Sequence, residues 1–201
     1  MPDWPLALRR AAPDHVGLIV HLIDDAAAWL RTQGTDQWAK PWPTRAERDR
    51  RVMAHLRAGK TWIAWDACTA AATITFDPDA DPYWPQQQLR DPAVYIHRLV
   101  VSRHYAGAQL GAGLLDWAGR TARRDHGARW IRLNAWTTNH RLHQYYARLG
   151  FRRCAACDAA GYPSAALFQR PAEQAKAADC PRFREVPPAW RHPGSLEPRI
   201  S

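Results

Sequence analysis

The run Val101-Ser-Arg-His-Tyr-Ala-Gly-Ala-Gln-Leu-Gly-Ala-Gly113 has the residue types and spacing to hold an anion. A strand pattern stops at Val101, glycines recur at 107, 111 and 113, and a helical pattern opens at Leu110. Small residues let a phosphate approach the backbone, and the N–H groups and dipole of a helix's first turn stabilise negative charge there. The same residues serve equally well to bring a helix close to a sheet, so the turn alone admits both readings. It is not a P-loop, because no Gly-Lys-Ser/Thr follows its glycines, and it is not a dinucleotide fingerprint, because residues 130–138 offer no acidic side chain. Three other groups could do chemistry. The stretch from Gly34 to Pro43 carries Trp38 and Trp42, and aromatic loops line ligand sites as readily as they cover a core edge. Asp77, Asp79 and Asp81 form an acidic, proline-broken loop suited to drawing in a cation. Cys154-x-x-Cys157 is a lone pair with no second pair at zinc spacing, so no metal site is expected and Cys68, Cys154, Cys157 and Cys180 are read as free thiols.

The elements that must position these groups follow from periodicity. Leu18, Ile19, Leu22, Ile23, Ala26, Trp29 and Leu30 fall at helical spacing between Asp14 and Thr32. Thr44-Arg-Ala-Glu47 is a capping-box pattern opening a second helix over about 45–58. Thr61–Asp66 and Ala72–Phe76 read as paired strands, Val94–Val101 as the clearest strand, and Leu110–Ala122 as an amphipathic helix. Trp130–Trp136 is a further strand, and Asn139–Leu149 a helix stopped at Gly150. Short closing strands are expected at Phe151–Cys154 and Ala165–Gln169. The order β-α-α-β-β-β-α-β-α-β-β gives an α/β (α+β) class with a mixed, mostly antiparallel sheet flanked by helices.

The 201 residues suit one packed domain, with 46% hydrophobic and 23% charged residues. No apolar run approaches the roughly 18 residues of a membrane span, and residues 1–20 lack a secretory core, so a cytoplasmic protein is expected. The last 31 residues, 171–201, hold six prolines and no apolar period, and read as an irregular tail after a domain over 1–170. The net charge of +9 calls for an anionic partner. Arg120 to Arg153 supply nine arginines against Asp125 alone, and so eight of those nine charges. A nucleic-acid-binding module could use such a stretch, but its arginines interleave with helix-core residues in no known binding motif.

The chain resembles the GNAT superfamily of N-acetyltransferases. Family members end their fourth strand in a short apolar run, then carry Gln/Arg-x-x-Gly-x-Gly/Ala before a helix, then Asn-x-x-Ala-x-x-Leu/Phe-Tyr-x-x-x-Gly-Phe. Here the matching residues are Leu99-Val100-Val101, Ala106-Gly-Ala-Gln109-Leu110-Gly111, and Asn139-x-x-Leu142-x-x-Tyr145-Tyr146-x-x-x-Gly150-Phe151. Ala106 and Gln109 depart from the pattern, standing where Gln or Arg and Gly are usual; they keep a coenzyme A-binding sensor without strong catalysis as an alternative.

The resemblance implies a cytoplasmic transferase that passes acetyl from acetyl-CoA directly to a primary amine of a small molecule or peptide, with no metal. Leu99, Val100 and Val101 would pair with the pantetheine arm, Gly107, Ala108, Gln109, Leu110, Gly111 and Ala112 would hold the pyrophosphate, and Asn139 would bond the pantetheine region. Some of the nine arginines would meet the cofactor's remaining phosphate. Tyr146 would protonate the departing thiolate, with Tyr145 as its neighbour and competitor. An alkylammonium with a pKa near 10.4 costs roughly 4.6 kcal/mol to deprotonate at pH 7, an α-amine roughly 1. His97, placed by strand alternation on the face of Tyr95 and Leu99, would take that proton at its ordinary pKa near 6.5, or is a buried structural histidine. Trp38 and Trp136 would wall the acceptor pocket. A homodimer is left open.

Overall fold

The computed structural model describes residues 6–86, 88–154, 161–174 and 183–187. Its elements run β1 (Leu6–Arg10), α1 (Val16–Thr32), α2 (Arg45–Arg57), β2 (Thr61–Asp66), β3 (Thr69–Asp77), β4 (Ala93–Val101), α3 (Leu110–His126), β5 (Trp130–Ala135), α4 (His140–Arg148), β6 (Arg152–Arg153), β7 (Ala166–Pro171) and β8 (Phe183–Glu185). The expected order and the mixed α/β class are observed. β3 runs one residue beyond the expected strand, so Asp77 ends a strand instead of opening the acidic loop. Cys157, Cys180 and most of 171–201 lie outside the described residues, and the described part of that stretch adds a three-residue strand.

One eight-stranded sheet has the order β6-β7-β5-β4-β3-β2-β1-β8, antiparallel except at β4–β5 and β1–β8. Its faces follow the period-2 alternation of the strands. Ala72, Ile74 and Phe76 of β3 and Val94 and Ile96 of β4 pack with Leu114, Leu115 and Ala118 of α3 and Tyr146 of α4. Ile63 on the other face packs with Ile19, Leu22 and Ile23 of α1 and Val52 and Leu56 of α2. The Thr44 side chain accepts from Glu47 N at 3.2 Å and starts α2 as its sequence requires.

The feature that shapes the site is a bulge in β4. Thr75 of β3 faces His97, but Thr73, two residues on, faces Val100, so β4 carries one extra residue, and Arg98 takes a left-handed φ of 48°. The extra residue reverses the alternation. Val94 and Ile96 face α3, whereas Val100 packs with α1 and α2, and Leu99 and Val101 have moved to the α3 side. Simple alternation put His97 and Leu99 on one face; the bulge separates them.

Candidate active site

Beyond Ile96 and Leu133 the parallel pairing of β4 and β5 ends: β4 continues along β3 and β5 along β7. Along the edge that β4 turns to β5, the backbone groups of His97 to Val101 have no strand partner among the described residues, which leaves donors and acceptors that could meet a ligand. A cavity of about 460 Å³ opens into this wedge. Of the residues expected to form the site, His97, Leu99, Val100, Val101, Gly111, Trp38, Trp136, Asn139 and Tyr146 line it. Gly107, Ala108, Gln109, Leu110 and Ala112 do not line it but form the turn and first helical residues around Gly111, with Ala108, Leu110 and Ala112 buried in the core.

The turn into α3 is left-handed at two positions. Gly107 and Gln109 both sit at positive φ, 79° and 59°, and the Gln109 carbonyl accepts from Gly113 N at 3.0 Å. The first amides of α3 are left without helical partners. Gln109 occupies a left-handed position where a side chain costs about 1 kcal/mol. A Cβ on Gly111 would stand 2.7 Å from the Tyr145 hydroxyl, so this glycine is what lets Tyr145 lie against the helix start.

Both α4 tyrosines line the cavity, and neither hydroxyl has a hydrogen-bond partner among the described residues. Tyr146 is buried, its ring 5.6 Å from Phe151 and 5.8 Å from Phe168. Burial pushes both phenols up, Tyr145 to about 12 and Tyr146 further, so each keeps its proton throughout the physiological range. Asn139 caps α4: its Oδ1 accepts from Leu142 N at 3.0 Å, and its Nδ2 donates to Gln37 Oε1 at 2.6 Å. The latter bond ties the loop between α1 and α2 across the cleft. The same loop's Asp36 accepts from Thr138 Oγ1 at 2.7 Å and Trp136 Nε1 at 2.8 Å, and these two bonds hold its carboxyl below the ordinary range.

His97 behaves differently from the imidazole the sequence suggested. Burial, the adjoining Arg98 and His55, 5.8 Å away ring to ring, push it down to about 3. It is therefore a neutral ring that can hydrogen-bond but is a much weaker base than at 6.5. Its Nε2 lies 4.0 Å from Asp81 Oδ2. The acidic loop is also spent internally. Asp77 binds His55 at 3.1 Å and Lys60 at 2.7 Å, Asp79 pairs with the same lysine, and buried Asp81 accepts from Tyr83 N at 2.8 Å and Asn134 Nδ2 at 3.1 Å. Burial raises Asp81 above the ordinary carboxylate range in spite of those bonds.

The arginine-rich stretch is largely not at the cavity. Arg132 is buried and donates to Tyr95 Oη at 3.1 Å and Gln169 Oε1 at 3.3 Å. Arg123 and Arg124 end α3, roughly 20 Å along the helix from its first turn. Arg123 binds Glu173 and Arg124 binds Asp125 there. The arginines that do line the cavity are Arg51, Arg98 and Arg103, with Trp42 and Tyr162 completing an aromatic wall. Arg98 had one signal in the sequence, a charge inside the clearest strand; the loop that delivers Tyr162 and the face of α2 that delivers Arg51 carry none.

The sequence profile of the Acetyltransferase (GNAT) family matches residues 17–151, from α1 through the end of α4. The chain belongs to the GNAT family. It is accordingly an acetyltransferase, and a relative from Bacillus subtilis (strain 168), described as an uncharacterized N-acetyltransferase YesJ, is 31% identical over 160 residues, 78% of this chain and 84% of that protein. Among solved structures, a GNAT-family acetyltransferase from Listeria monocytogenes 4b F2365 superposes with a TM-score of 0.65 at 24% identity, covering 82% of this chain and 93% of that one. The PaiA N-acetyltransferase from Thermoplasma acidophilum, solved in complex with coenzyme A, superposes with a TM-score of 0.59 at 14% identity, covering 82% and 97%. Both likenesses are of fold. Among the described residues no helix is long and apolar enough to cross a membrane.

Proposed function

We propose that this GNAT enzyme transfers acetyl from acetyl-coenzyme A directly to a primary amine of a small molecule or peptide. The observation that carries the reading is the wedge itself: an open β4 edge from His97 to Val101 leads to unpartnered helix-start amides at Gly111, with two protonated phenols beside them. These residues fit the donor's chemistry. Strand-edge N–H and C=O groups suit a chain of amides, and first-turn amides suit a pyrophosphate. Arg103, in the turn between β4 and α3, adds a cation on that side, its guanidinium stacked 3.7 Å over Trp29.

Bound there, the thioester supplies an activated acetyl group. The chain's own residues orient it and manage two protons. The amine nitrogen would form its bond to the acetyl carbon as the C–S bond breaks; the sulfur would take its proton from the Tyr146 hydroxyl, and the proton released by the nitrogen would pass to water, from which the phenolate is reprotonated. His97, as a neutral ring with Asp81 4.0 Å from its Nε2, orients the amine more effectively than it removes an ammonium proton. Acceptors that enter as the free base are therefore favoured, and an α-amine is the cheaper case at neutral pH.

Calorimetry with acetyl-coenzyme A followed by thiol release over an amine panel tests this. Binding with amine-dependent thiol release is expected. Absence of binding at millimolar ligand overturns the reading, and binding with no thiol release from any amine points to a sensor.

A further inference from the structure

The cavity has an unusual charge pattern. Its lining contains Arg103 on the donor side, Arg51 and Arg98 away from it, and a neutral histidine, with no aspartate or glutamate among the described lining residues. Two of the arginines are already engaged: Arg51 binds Glu47 Oε1 at 3.0 Å and lies 5.2 Å from the Trp42 ring centre, and Arg103 stacks on Trp29. Arg98 is the exception. Placed by the β4 bulge on the wall between the main cavity and a second one of about 100 Å³, it has no carboxylate within 4.0 Å among the described residues, and its one polar contact there is His55 Nδ1 at 3.2 Å. The charges around it explain why it stays unsatisfied. Asp77 is held by His55 and Lys60, and Arg48, on the second cavity, is held by Asp24 at 2.6 Å and Asp49 at 2.8 Å. Burial, with Arg51 nearby, lowers Arg98 to about 10 against the weaker pull of Tyr162 and Asp77, so the cation persists at neutral pH with no carboxylate within 4.0 Å among the described residues.

A largely buried guanidinium facing a cavity without an anion is costly unless a ligand completes it. Its planar fork matches a carboxylate with two parallel hydrogen bonds. Beside it, Trp42 and Tyr162 meet edge to face at 5.1 Å, and Tyr162 stacks on Tyr83 at 3.8 Å with an interplanar angle of 8°. These aromatics come from three separate loops. Asn134 Nδ2 donates to Tyr162 Oη at 3.0 Å and fixes the wall against β5.

We infer that the acceptor is an amine that also bears a carboxylate, seated on Arg98, with an apolar or aromatic body against Trp42 and Tyr162: an amino-acid-like amine and not a polyamine. A polycation would meet Arg51 and Arg98 and no carboxylate among the described lining residues, contrary to the attraction the acidic loop suggested. This inference rests on the transferase reading above, yet its ligand site can be tested without turnover.

The test uses the full chain and four probes that share a phenyl body. Binding of 3-phenylpropionate and 3-phenylpropanol is compared by calorimetry with and without coenzyme A, and phenylalanine is compared with phenethylamine in thiol release. The carboxylate is expected to bind about 10- to 100-fold more tightly than the alcohol, and phenylalanine to exceed phenethylamine in kcat/KM by a similar factor. Arg98→Gln is expected to abolish both preferences. If that variant fails to fold, Arg98→Lys replaces it, keeping the charge and losing the fork, with a several-fold loss expected. Equal binding of carboxylate and alcohol by the wild type, or an unaltered preference in either folded variant, overturns the inference. A carboxylate preference without any thiol release would instead overturn the transferase reading and leave the anion site standing.

Discussion

Replacing Arg170 with leucine should destabilise the whole domain more than any surface change, and the structure says by how much. Arg170 lies on β7 with its side chain 1% exposed; its Nη2 is 2.9 Å from Asp116 Oδ1, which is 3% exposed in the middle of α3. Nη2 also donates to the Leu115 carbonyl at 3.1 Å, and Nη1 to the Leu149 carbonyl at the end of α4 at 3.0 Å. Arg170→Leu leaves the Asp116 carboxylate buried without its cation, a loss of about 3–5 kcal/mol. For a chain of this size that lowers Tm by about 6–20 °C. Arg170→Leu combined with Asp116→Leu removes both charges. The main debt left is the Leu149 carbonyl, about 1–3 kcal/mol, since the Leu115 carbonyl lies within α3. The double variant should therefore be more stable than Arg170→Leu alone. Urea unfolding of wild type, both single variants and the double variant measures the coupling directly. Strictly additive losses would refute the claim that the two groups exist to neutralise each other.

Tyr146→Phe keeps the ring packing against Phe151 and Phe168 and is expected to lower kcat at least tenfold with little change in acetyl-coenzyme A affinity. A larger fall for Tyr145→Phe in the same steady-state assay would transfer the proton-donor role. Gln109→Gly relieves the left-handed strain and should hold or raise stability by up to about 1 kcal/mol without weakening coenzyme binding; a loss of binding by calorimetry would show that the Gln109 side chain itself is used. Burial alone would raise the Asp77 carboxyl, but His55, Lys60 and the Asp79 N–H outweigh it and hold the group well below the ordinary carboxylate range. Its folded pKa is thus lower than its unfolded value, so its contribution is full above about pH 4 and fades as pH falls further. The Tm difference between wild type and Asp77→Asn should accordingly be larger at pH 7 than at pH 3, and a gap that grows on acidification would contradict this.

What the chain revealed before folding was whatever is written locally. Thr44 and Glu47 announce their helix, Asn139 and Gly150 bracket theirs, and the spacing from Leu99 to Phe151 locates the β4, α3 and α4 segments that line the wedge. The bulge at Arg98 escaped because it depends on the register between β3 and β4, a long-range match with no local signature. Its consequences escaped with it: the switch of Leu99 to the other face, the unpaired guanidinium and the weak basicity of His97. The basic surplus misled for a related reason. Counting Arg132 as available charge ignored that a strand interior would bury it against Tyr95 and Gln169. The aromatic wall is likewise assembled from three loops that only the folded sheet brings together.

The short strand β8 links two distant parts of the sequence. It lies parallel to β1, pairing Leu6 with Phe183 and Leu8 with Glu185, while the Phe183 ring sits where a Cβ on Gly113 would stand, 2.9 Å away, and Glu185 takes the Trp117 indole N–H at 2.7 Å. The outer edge of β1 is therefore sealed only by a strand more than 170 residues further on, and an unsealed edge is a template for foreign strands. The closing strand grips α3 at Gly113 and Trp117, one and two turns below the start of the helix. Shortening the chain at residue 170 would thus leave β1 sticky and loosen the helix on which the anion turn is mounted.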